Sequence, residues 1–412
     1  MPVTPEAVFD AALRDLARDH HRIGLAVSGG GDSMALLHLA QHWARGNGVT
    51  LSCVTVDHGL RAGAAAEAAM VADQCAILGI SHHTLHWTGW DRQGNLQDAA
   101  RQARRSLIRD WAMTHDISLV LLGHTADDQA ETVLMRLARG SGVDGLAGMA
   151  AYNAGTPAIF RPLLGLHRQT LRDWLTAQGV TWADDPSNDD SRYDRIKARQ
   201  MLGHLASLGL TPDRLLQTAE HMQAAQRSLR RAAADFATSH VTQDRGDLRL
   251  SPAVLDLAHG DTERRVFAAA LGWVGSSDYR PRFDALGTLA AQLRRGQGGT
   301  LSGCLLTRDG DMIRITREAQ AVQGVQSTPD QIWDRRWHIT GPATGGETVR
   351  ALGQSGLRLC PDWRDSGLPA ASLTASPAIW QGETLLAAPL AGFNPDWTAQ
   401  IVADFHTSLL SH

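Results

Sequence analysis

The chain has 412 residues, 43% hydrophobic and 20% charged, with a formal net charge of −4 at pH 7. That length exceeds one ordinary core and predicts two or three globular domains, while the composition excludes a disordered or fibrous chain. The slight acidity excludes a protein that grips nucleic acid through one broad basic surface, so any RNA contact must come from local patches and shape.

Residue usage narrows the chemistry further. Cys53, Cys75, Cys304 and Cys360 form no CxxC pair, which excludes a zinc ribbon or a disulfide-dense module. Cys53 and Cys75 fall in apolar stretches and read as buried, inert thiols. Lys197 is the only lysine, and it has neither the glycine context of a Walker A loop nor the apolar setting of a Schiff-base amine. No apolar run is long enough to span a bilayer. Residues 1–19 read as an amphipathic helix with charges of both signs rather than a secretory signal. A cytoplasmic location without a membrane partner is therefore expected.

In chain order, Ile23–Val27 is a short apolar strand that meets a glycine-rich turn, Ser28–Ser33, and then a helix from Met34 to about Arg45. Val49–Val56 is a second strand, Ala64–Leu78 a helix, Ser81–Trp87 a third strand and Asn95–Thr114 a long helix. Ser118–Leu122 is a further strand, followed by Gly123 and a helix from about Ala126 to Arg139. Strands alternating with helices of this length predict an α/β domain, a doubly wound parallel sheet with helices on both faces and ligands at the carboxyl ends of its strands. Beyond about Leu210 the pattern turns helical, with Arg227, Arg230 and Arg231 clustered in Pro212–Ala237 and a hairpin signal around Asp309–Gly310. From about Gln320, Gly, Pro, Ser and Thr become frequent and Trp333, Trp337, Trp363, Trp380 and Trp397 are scattered. Three domains are expected: residues 1–210, a mostly helical 211–318, and a small β-rich 319–412.

The most informative segment is Ala26-Val27-Ser28-Gly29-Gly30-Gly31-Asp32-Ser33. Between a strand and a helix, successive glycines let several N–H groups point inward, and the helix adds its positive end. The Ser28 and Ser33 hydroxyls complete an anion site. Asp32 belongs there if Mg2+ bridges it to phosphate oxygens. A plain glycine turn would need neither the serines nor the aspartate.

This SGGGDS segment resembles the phosphate loop of the N-type ATP pyrophosphatases, enzymes with an adenine nucleotide alpha hydrolase-like fold. The resemblance implies cleavage of ATP to AMP and pyrophosphate, with a substrate oxygen adenylated. Further segments resemble the lysidine synthetases within that group. Val56-Asp57-His58-Gly59-Leu60-Arg61 is similar to their DHGLR turn, placing Asp57 and His58 near the nucleotide. Ala100-Arg101-Gln102-Ala103-Arg104 resembles ARxxR, with both arginines on one helical face. Gly123-His124-Thr125-Ala126-Asp127-Asp128-Gln129-Ala130-Glu131-Thr132 matches GHxxDDxxET. There Thr125, Asp127 and Asp128 suit a helix start, and His124, Asp128, Glu131 and Thr132 form a polar cluster. Arg136, Arg139-Gly140-Ser141-Gly142 and Arg161-Pro162-Leu163-Leu164 also fit. Trp182-Ala183-Asp184-Asp185-Pro186-Ser187-Asn188 resembles W-x-x-D-x-S-N and leads into Tyr193–Arg199, where Ile196 replaces the asparagine of YxRNxxR. The resemblance is strong over about residues 20–205 and extends to about 318.

The resemblance implies ATP-dependent ligation of free L-lysine to C2 of the wobble cytidine of a CAU-anticodon tRNA(Ile), through an adenylated tRNA. Asp32, His124 and Asp128 are the expected catalytic residues, with Asp128 holding the lysine ammonium and accepting its proton. Ser28, Gly29, Gly30, Gly31, Asp32 and Ser33 would hold ATP, with Mg2+ on Asp32. Arg101, Arg104, Arg195 and Arg199 would contact the tRNA. The sequence leaves the oligomeric state open, a homodimer included. Two other readings stand beside this one. A tRNA thiolase of the same fold is disfavoured by the absence of CxxC. A non-catalytic ATP-sensing or RNA-binding protein is disfavoured by the intact loop and HxxDD segment.

Overall fold

The first half of the chain builds one mixed sheet whose central strands, residues 22–26 and 119–122, are apolar along most of their length, as expected when helices cover both faces. The structure is a computed structural model and describes residues 4–14, 16, 20–59, 63–89, 96–183, 194–257, 260–277 and 281–411. It divides into two compact units, Met1–Gln226 and Arg227–His412.

The first unit runs α1 (Pro5–Leu13), β1 (Arg22–Ala26), α2 (Gly31–Asn47), β2 (Thr50–Asp57), α3 (Ala64–Leu78), β3 (Ser81–His86), α4 (Leu96–Thr114), β4 (Leu119–Leu122), α5 (Ala126–Ala138) and α6 (Val143–Leu146). It continues with β5 (Tyr152–Asn153), β6 (Ala158–Phe160), α7 (Arg168–Ala177), α8 (Asp194–Leu205) and the first part of α9 (Pro212–His240). The four strands and the helices between them lie within a few residues of the sequence expectation. Asn95, proposed as the start of α4, is outside the described residues. The strand order is β3-β2-β1-β4-β6-β5. All pairs are parallel except β5 with β6.

Alternation along the strands separates two cores. Ile23, Leu25, Leu51, Cys53, Leu119 and Leu121 face a layer contributed by α1, α2, α3 and α7. Ala26, Val54 and Val120 face Ile108, Trp111 and Ala112 of α4. A smaller cluster joins Ala130 and Val133 of α5 to Leu202 of α8 and to Leu215 and Ala219 of α9. That cluster fixes the register of α8 against α5, which matters for the site. Ile196, where the resemblance leads one to expect asparagine, is buried on α8. Cys53 and Cys75 are buried and free, as expected.

In the second unit α9 ends at His240 and is followed by β7 (Val241–Asp244), β8 (Asp247–Leu250), α10 (Asp261–Gly275), α11 (Phe283–Arg294), β9 (Gly299–Leu301), β10 (Cys304–Asp309) and β11 (Met312–Arg317). The helices pack on a five-stranded antiparallel sheet, β7-β8-β11-β10-β9. The expected hairpin is β10–β11, with Asp309 paired to Met312. After α12 (Ala319–Val322) come β12 (Gln326–Ser327), β13 (Trp337–Thr340), β14 (Thr348–Ala351), α13 (Gly353–Leu357), α14 (Ala370–Thr374), β15 (Pro377–Gln381), β16 (Thr384–Ala387), β17 (Thr398–Ile401) and α15 (Phe405–Ser411). The strands of this last part form small antiparallel sheets. The scattered tryptophans have a packing role: Trp333, Trp337, Trp380 and Trp397 fill this small core. Among the described residues no helix is long and apolar enough to cross a membrane.

Candidate active site

The strand order reverses between β1 and β4. The strand after β1 in the chain lies on one side, and the strand paired beyond β4 lies on the other. The crevice at the carboxyl ends of two such strands is where this class of sheet takes ligands. Both strong sequence segments occupy it. Ser28–Ser33 follows β1 and opens α2, while Gly123–Asp128 follows β4 and opens α5.

The loop is shaped by local chemistry. Gly29 has φ +91°, a conformation that side chains rarely tolerate. The Ser28 N–H donates to Ser33 Oγ at 3.1 Å, and the Ser33 hydroxyl donates to the Gly30 carbonyl at 2.8 Å. The two serine oxygens lie 3.3 Å apart. α2 starts from Gly30 without a side-chain cap, which leaves its positive end to an outside acceptor. Gly123 lets β4 approach this start closely, since a Cβ there would lie 3.0 Å from the Asp32 carbonyl oxygen. The Ala183 N–H donates to the Gly29 carbonyl at 2.9 Å, so the chain after α7 also braces the loop.

Beside the loop, three carboxylates face three guanidiniums. Arg168, the first residue of α7, donates from Nε to Asp32 Oδ2 at 3.0 Å and from Nη2 to Asp128 Oδ1 at 3.0 Å. Its Nη1 lies 3.5 Å from Glu131 Oε1. Arg195 of α8 donates from Nε to Glu131 Oε2 at 2.8 Å, and its Nη2 is 3.0 Å from Asp128 Oδ1. Arg199 donates from Nε to the other Glu131 oxygen at 2.8 Å. Glu131 is only 1% exposed, and its charge partners are the three guanidiniums around it.

The adjacent aspartates divide their work. Asp127 accepts the Arg168 backbone N–H at 2.7 Å and so anchors α7. Asp128 completes a capping box with Thr125, accepting the Thr125 N–H at 2.8 Å, and turns its other oxygen to the arginines. The helix-start role and the site role therefore coexist in one side chain.

Burial pulls the two site aspartates the same way, but their neighbours do not. For Asp32, burial raises the carboxyl above its ordinary range, and Arg168 only partly offsets this. For Asp128, burial also pushes upward, but Arg195 and Arg168 outweigh it and hold the group below its usual value. Asp32 Oδ1 is buried and accepts no hydrogen bond in the structure. His124 is pushed down to about 4, first by burial and then by Arg161, Arg195 and Arg104, against the pull of Asp128. The Arg161 Nε–H donates to His124 Nδ1 at 3.1 Å. His124 is thus neutral at pH 7, with its proton on Nε2.

Other expected residues lie as follows. Asp57 ends β2 and accepts the Gly59 N–H at 2.8 Å through its side chain, making a tight local turn. His58 packs edge-on against Trp87, with ring centroids 5.7 Å apart. Arg101 is exposed on α4 and Arg104 is half-buried. The Arg104 guanidinium is held below its ordinary value by burial and by Arg101. Arg136 donates to the Gly145 and Gly148 carbonyls at 2.9 and 2.8 Å and so ties down the turn after α5. Leu60, Arg61, the segment 184–193 with Ser187 and Asn188, and Tyr193 are outside the described residues.

Arg168 went unnoticed in the sequence reading, although it bridges Asp32 to Asp128. Its one local signal is its place at the head of a helix four residues after Leu164 of the RPLL segment.

A crevice of this kind, with a glycine-serine loop at a helix start and an acidic partner on the next strand, defines a nucleotide-binding α/β domain of the phosphate-loop type. The comparisons agree: the PP-loop domain family profile matches residues 4–205. A tRNA(Ile)-lysidine synthase of Ruegeria pomeroyi is 47% identical over 401 residues, 96% of each chain. One from Mesorhizobium japonicum is 36% identical, covering 90% of this chain and 84% of that protein. One from Anaplasma marginale is 33% identical, covering 79% of this chain and 73% of that protein. The chain belongs to the tRNA(Ile)-lysidine synthase family, whose PP-loop domain uses ATP.

Proposed function

We propose that this chain activates the C2 oxygen of the wobble cytidine in a CAU-anticodon tRNA(Ile) with ATP and then replaces that oxygen with the ε-amine of free L-lysine. The observation that carries the reading is the juxtaposition of the Ser28–Ser33 loop and the Asp128–Glu131 cluster, joined through Arg168, at one strand crevice. A single centre of this kind can serve two successive displacements.

In the first, the C2 oxygen attacks the α-phosphorus of ATP, the bond from that phosphorus to its bridging oxygen breaks, and pyrophosphate leaves. The uncapped start of α2, with the Ser28 and Ser33 hydroxyls, would receive the departing charge. Asp32 fits a Mg2+ ion, because its buried Oδ1 has no other partner and magnesium characteristically takes one or two carboxylates plus phosphate oxygens. There the ion would neutralise phosphate charge. His124, neutral with an Nε2–H, can donate to an oxygen at the centre but cannot serve as an imidazolium acid at pH 7.

In the second displacement the lysine nitrogen attacks C2, the C2–O bond breaks and AMP leaves. The amine must be neutral to attack. Asp128, held ionised by Arg195 and Arg168, suits the holding of an ammonium better than the acceptance of its proton. Asp32 is committed to Mg2+ in this reading, so the released proton passes to the departing AMP phosphate, whose second pKa is about 6. Arg101, Arg104, Arg195 and Arg199 are assigned to the tRNA, with Arg195 and Arg199 also serving as counter-charges to Glu131. Residues 1–210 would carry catalysis, 211–318 tRNA binding and 319–412 further recognition, in a cytoplasmic enzyme.

The test is a two-stage quench. Enzyme, tRNA and α-labelled ATP without lysine should place label on tRNA, in an amount limited by enzyme or tRNA, with pyrophosphate released. Added lysine should discharge labelled AMP. Label on free lysine instead would establish an aminoacyl-adenylate route and overturn the reading.

A further inference from the structure

β4 and β6 are parallel neighbours, with Leu121 paired to Phe160. The turn that carries His124 and the residue after β6, Arg161, therefore leave the sheet at the same carboxyl edge. There the Arg161 Nε–H donates to His124 Nδ1 at 3.1 Å. Arg161 Nη1 donates to the Ala150 carbonyl at 2.8 Å, and its backbone N–H donates to the Ala151 carbonyl at 2.8 Å. Among the described residues no carboxylate pairs with Arg161, although its side chain is half-buried.

The segment that receives Nη1 is already fixed from α5. The buried Gln129 side chain pairs twice with the Met149 backbone, accepting its N–H at 2.7 Å and donating to its carbonyl at 2.9 Å. Arg136 donates to the neighbouring Gly148 carbonyl at 2.8 Å. Bracing of this turn accounts for Arg161 Nη1 and for the Arg161 backbone. It does not account for Nε, which is given to a histidine that none of these other bonds touches.

A guanidinium offers only donors, so His124 Nδ1 must present its lone pair to Arg161. In the neutral ring this puts the proton on Nε2. Protonating the ring would set a second N–H against the Arg161 Nε–H and a second cation against its guanidinium. The charged groups that face His124 are Asp128 from α5, Arg161, Arg195 from α8 and Arg104 from α4. Burial pushes His124 down to about 4; Asp128 pulls the other way, and the three arginines add to the burial. Of the three, Arg161 alone hydrogen-bonds the ring among the described residues. Asp128 already serves Arg168 and Arg195. An imidazolium at His124 would bring a third protein cation to that carboxylate, where the ammonium of lysine is proposed to sit.

We propose that Arg161 is a positioning residue for the reaction: by donating to Nδ1 it holds His124 as the neutral ring with its proton on Nε2, and it thereby keeps Asp128 open to the ammonium of the incoming lysine. The first half stands on the hydrogen-bond geometry, and the second rests on the reading of Asp128 as the ammonium holder. With Nδ1 occupied, Nε2 is the ring nitrogen left for a ligand, and among the described residues no protein group accepts from it. Arg161 thus fixes which nitrogen of His124 donates, and Gln129 and Arg136 hold the turn on which Arg161 leans.

The full-length protein, labelled with nitrogen-15 in its histidine rings, is titrated from pH 5 to 8 by NMR, with His124 assigned by the signal lost in His124→Asn. In the wild type His124 stays neutral with Nε2 protonated throughout. In Arg161→Met its midpoint rises into this range, towards the ordinary histidine value of about 6.5, and the proton is shared between the two nitrogens. Arg161→Gln, polar but uncharged, moves His124 in the same direction, whereas Arg161→Lys keeps the charge and holds the ring neutral. In a second arm the KM for lysine is measured on the same proteins. The ratio of Arg161→Met to wild type should grow by about tenfold from pH 8 to 5.5, the size of one charge-assisted contact, and adding His124→Gln should flatten it. A His124 that behaves alike in wild type, Arg161→Met and Arg161→Gln overturns the proposal and leaves Arg161 as a brace of its turn. So does a wild-type ring that carries its proton on Nδ1. A KM ratio that ignores pH while His124 titrates overturns the part concerning Asp128. Absence of lysine-dependent turnover in the wild type would strike the proposed function and leave the NMR arm to decide the role of Arg161.

Discussion

Replacing Arg168 with glutamine should destabilise the first unit chiefly through Asp32. In the structure Arg168 supplies Asp32 with its hydrogen bond at 3.0 Å, and Asp128 with another at 3.0 Å. Asp128 keeps Arg195 in the variant, whereas Asp32 is left with Arg172 and still faces the repulsion of Asp128. The side chains of Arg168, Asp32 and Asp128 are 17%, 21% and 11% exposed, so solvent screens the loss poorly. Breaking a buried pair costs about 3–5 kcal/mol, and this partial exposure places the change near 3 kcal/mol. For a unit of this size, about 2–4 °C per kcal/mol predicts a fall in Tm of roughly 6–12 °C at pH 7. The deficit must also depend on pH with a definite sign. The uncompensated Asp32 charge costs energy only when ionised, and its raised folded-state value rises further without Arg168. Asp128, held low in the wild type, loses part of a stabilisation that exists only above its own titration. The Asp32 contribution shrinks as the pH falls from 7 towards the unfolded aspartate value of about 3.9, whereas the Asp128 contribution is lost only below that value. Differential scanning calorimetry from pH 4.5 to 8 measures this. Arg168→Lys should recover less than half, because an ammonium cannot bridge two carboxylates as a guanidinium fork does. A Tm deficit under about 2 °C, or one that is flat across this pH range, would refute the electrostatic account.

Three further outcomes follow from the site. Asp32→Ala should lower AMP formation by about 10²–10³-fold or more with an unchanged circular dichroism spectrum; near-normal turnover with unaltered magnesium dependence would remove Asp32 from the mechanism. Asp128→Asn should slow the lysine step more than adenylation, as resolved by the two-stage quench, and equal slowing would assign it to ordering the loop instead. Arg101→Ala should weaken tRNA binding and reduce the salt slope by about 1, and a lower ATP affinity at constant tRNA affinity would move Arg101 to the nucleotide site.

Much of the first unit is legible in the sequence because its determinants are local. A strand buried on both faces must be a short apolar run, and a loop that receives phosphate must use glycine and hydroxyls where strand passes to helix. Thr125 and Asp128 likewise announce a helix start three residues apart, and the structure contains that capping box. Ser28–Ser33 and His124–Asp128 could therefore be placed at strand ends before any coordinates. Tertiary structure decided which charges meet. Arg195 and Arg199 are one helical turn apart, a spacing that fits a solvated basic face as well as it fits a site. Packing of Leu202 against Ala130 and Val133 turns them onto Glu131. Arg168 is 136 residues from Asp32 in the chain, and no local pattern pairs them. The opposite behaviour of the Asp32 and Asp128 carboxyls depends on the same placement, because burial acts on both and Arg168 reaches both, but Asp128 has Arg195 and the Thr125 N–H in addition. Sequence determines which groups the backbone can present at each turn. Their ionisation is set by electrostatic neighbours brought in from distant segments, and those neighbours exist only once the sheet and its helices have packed.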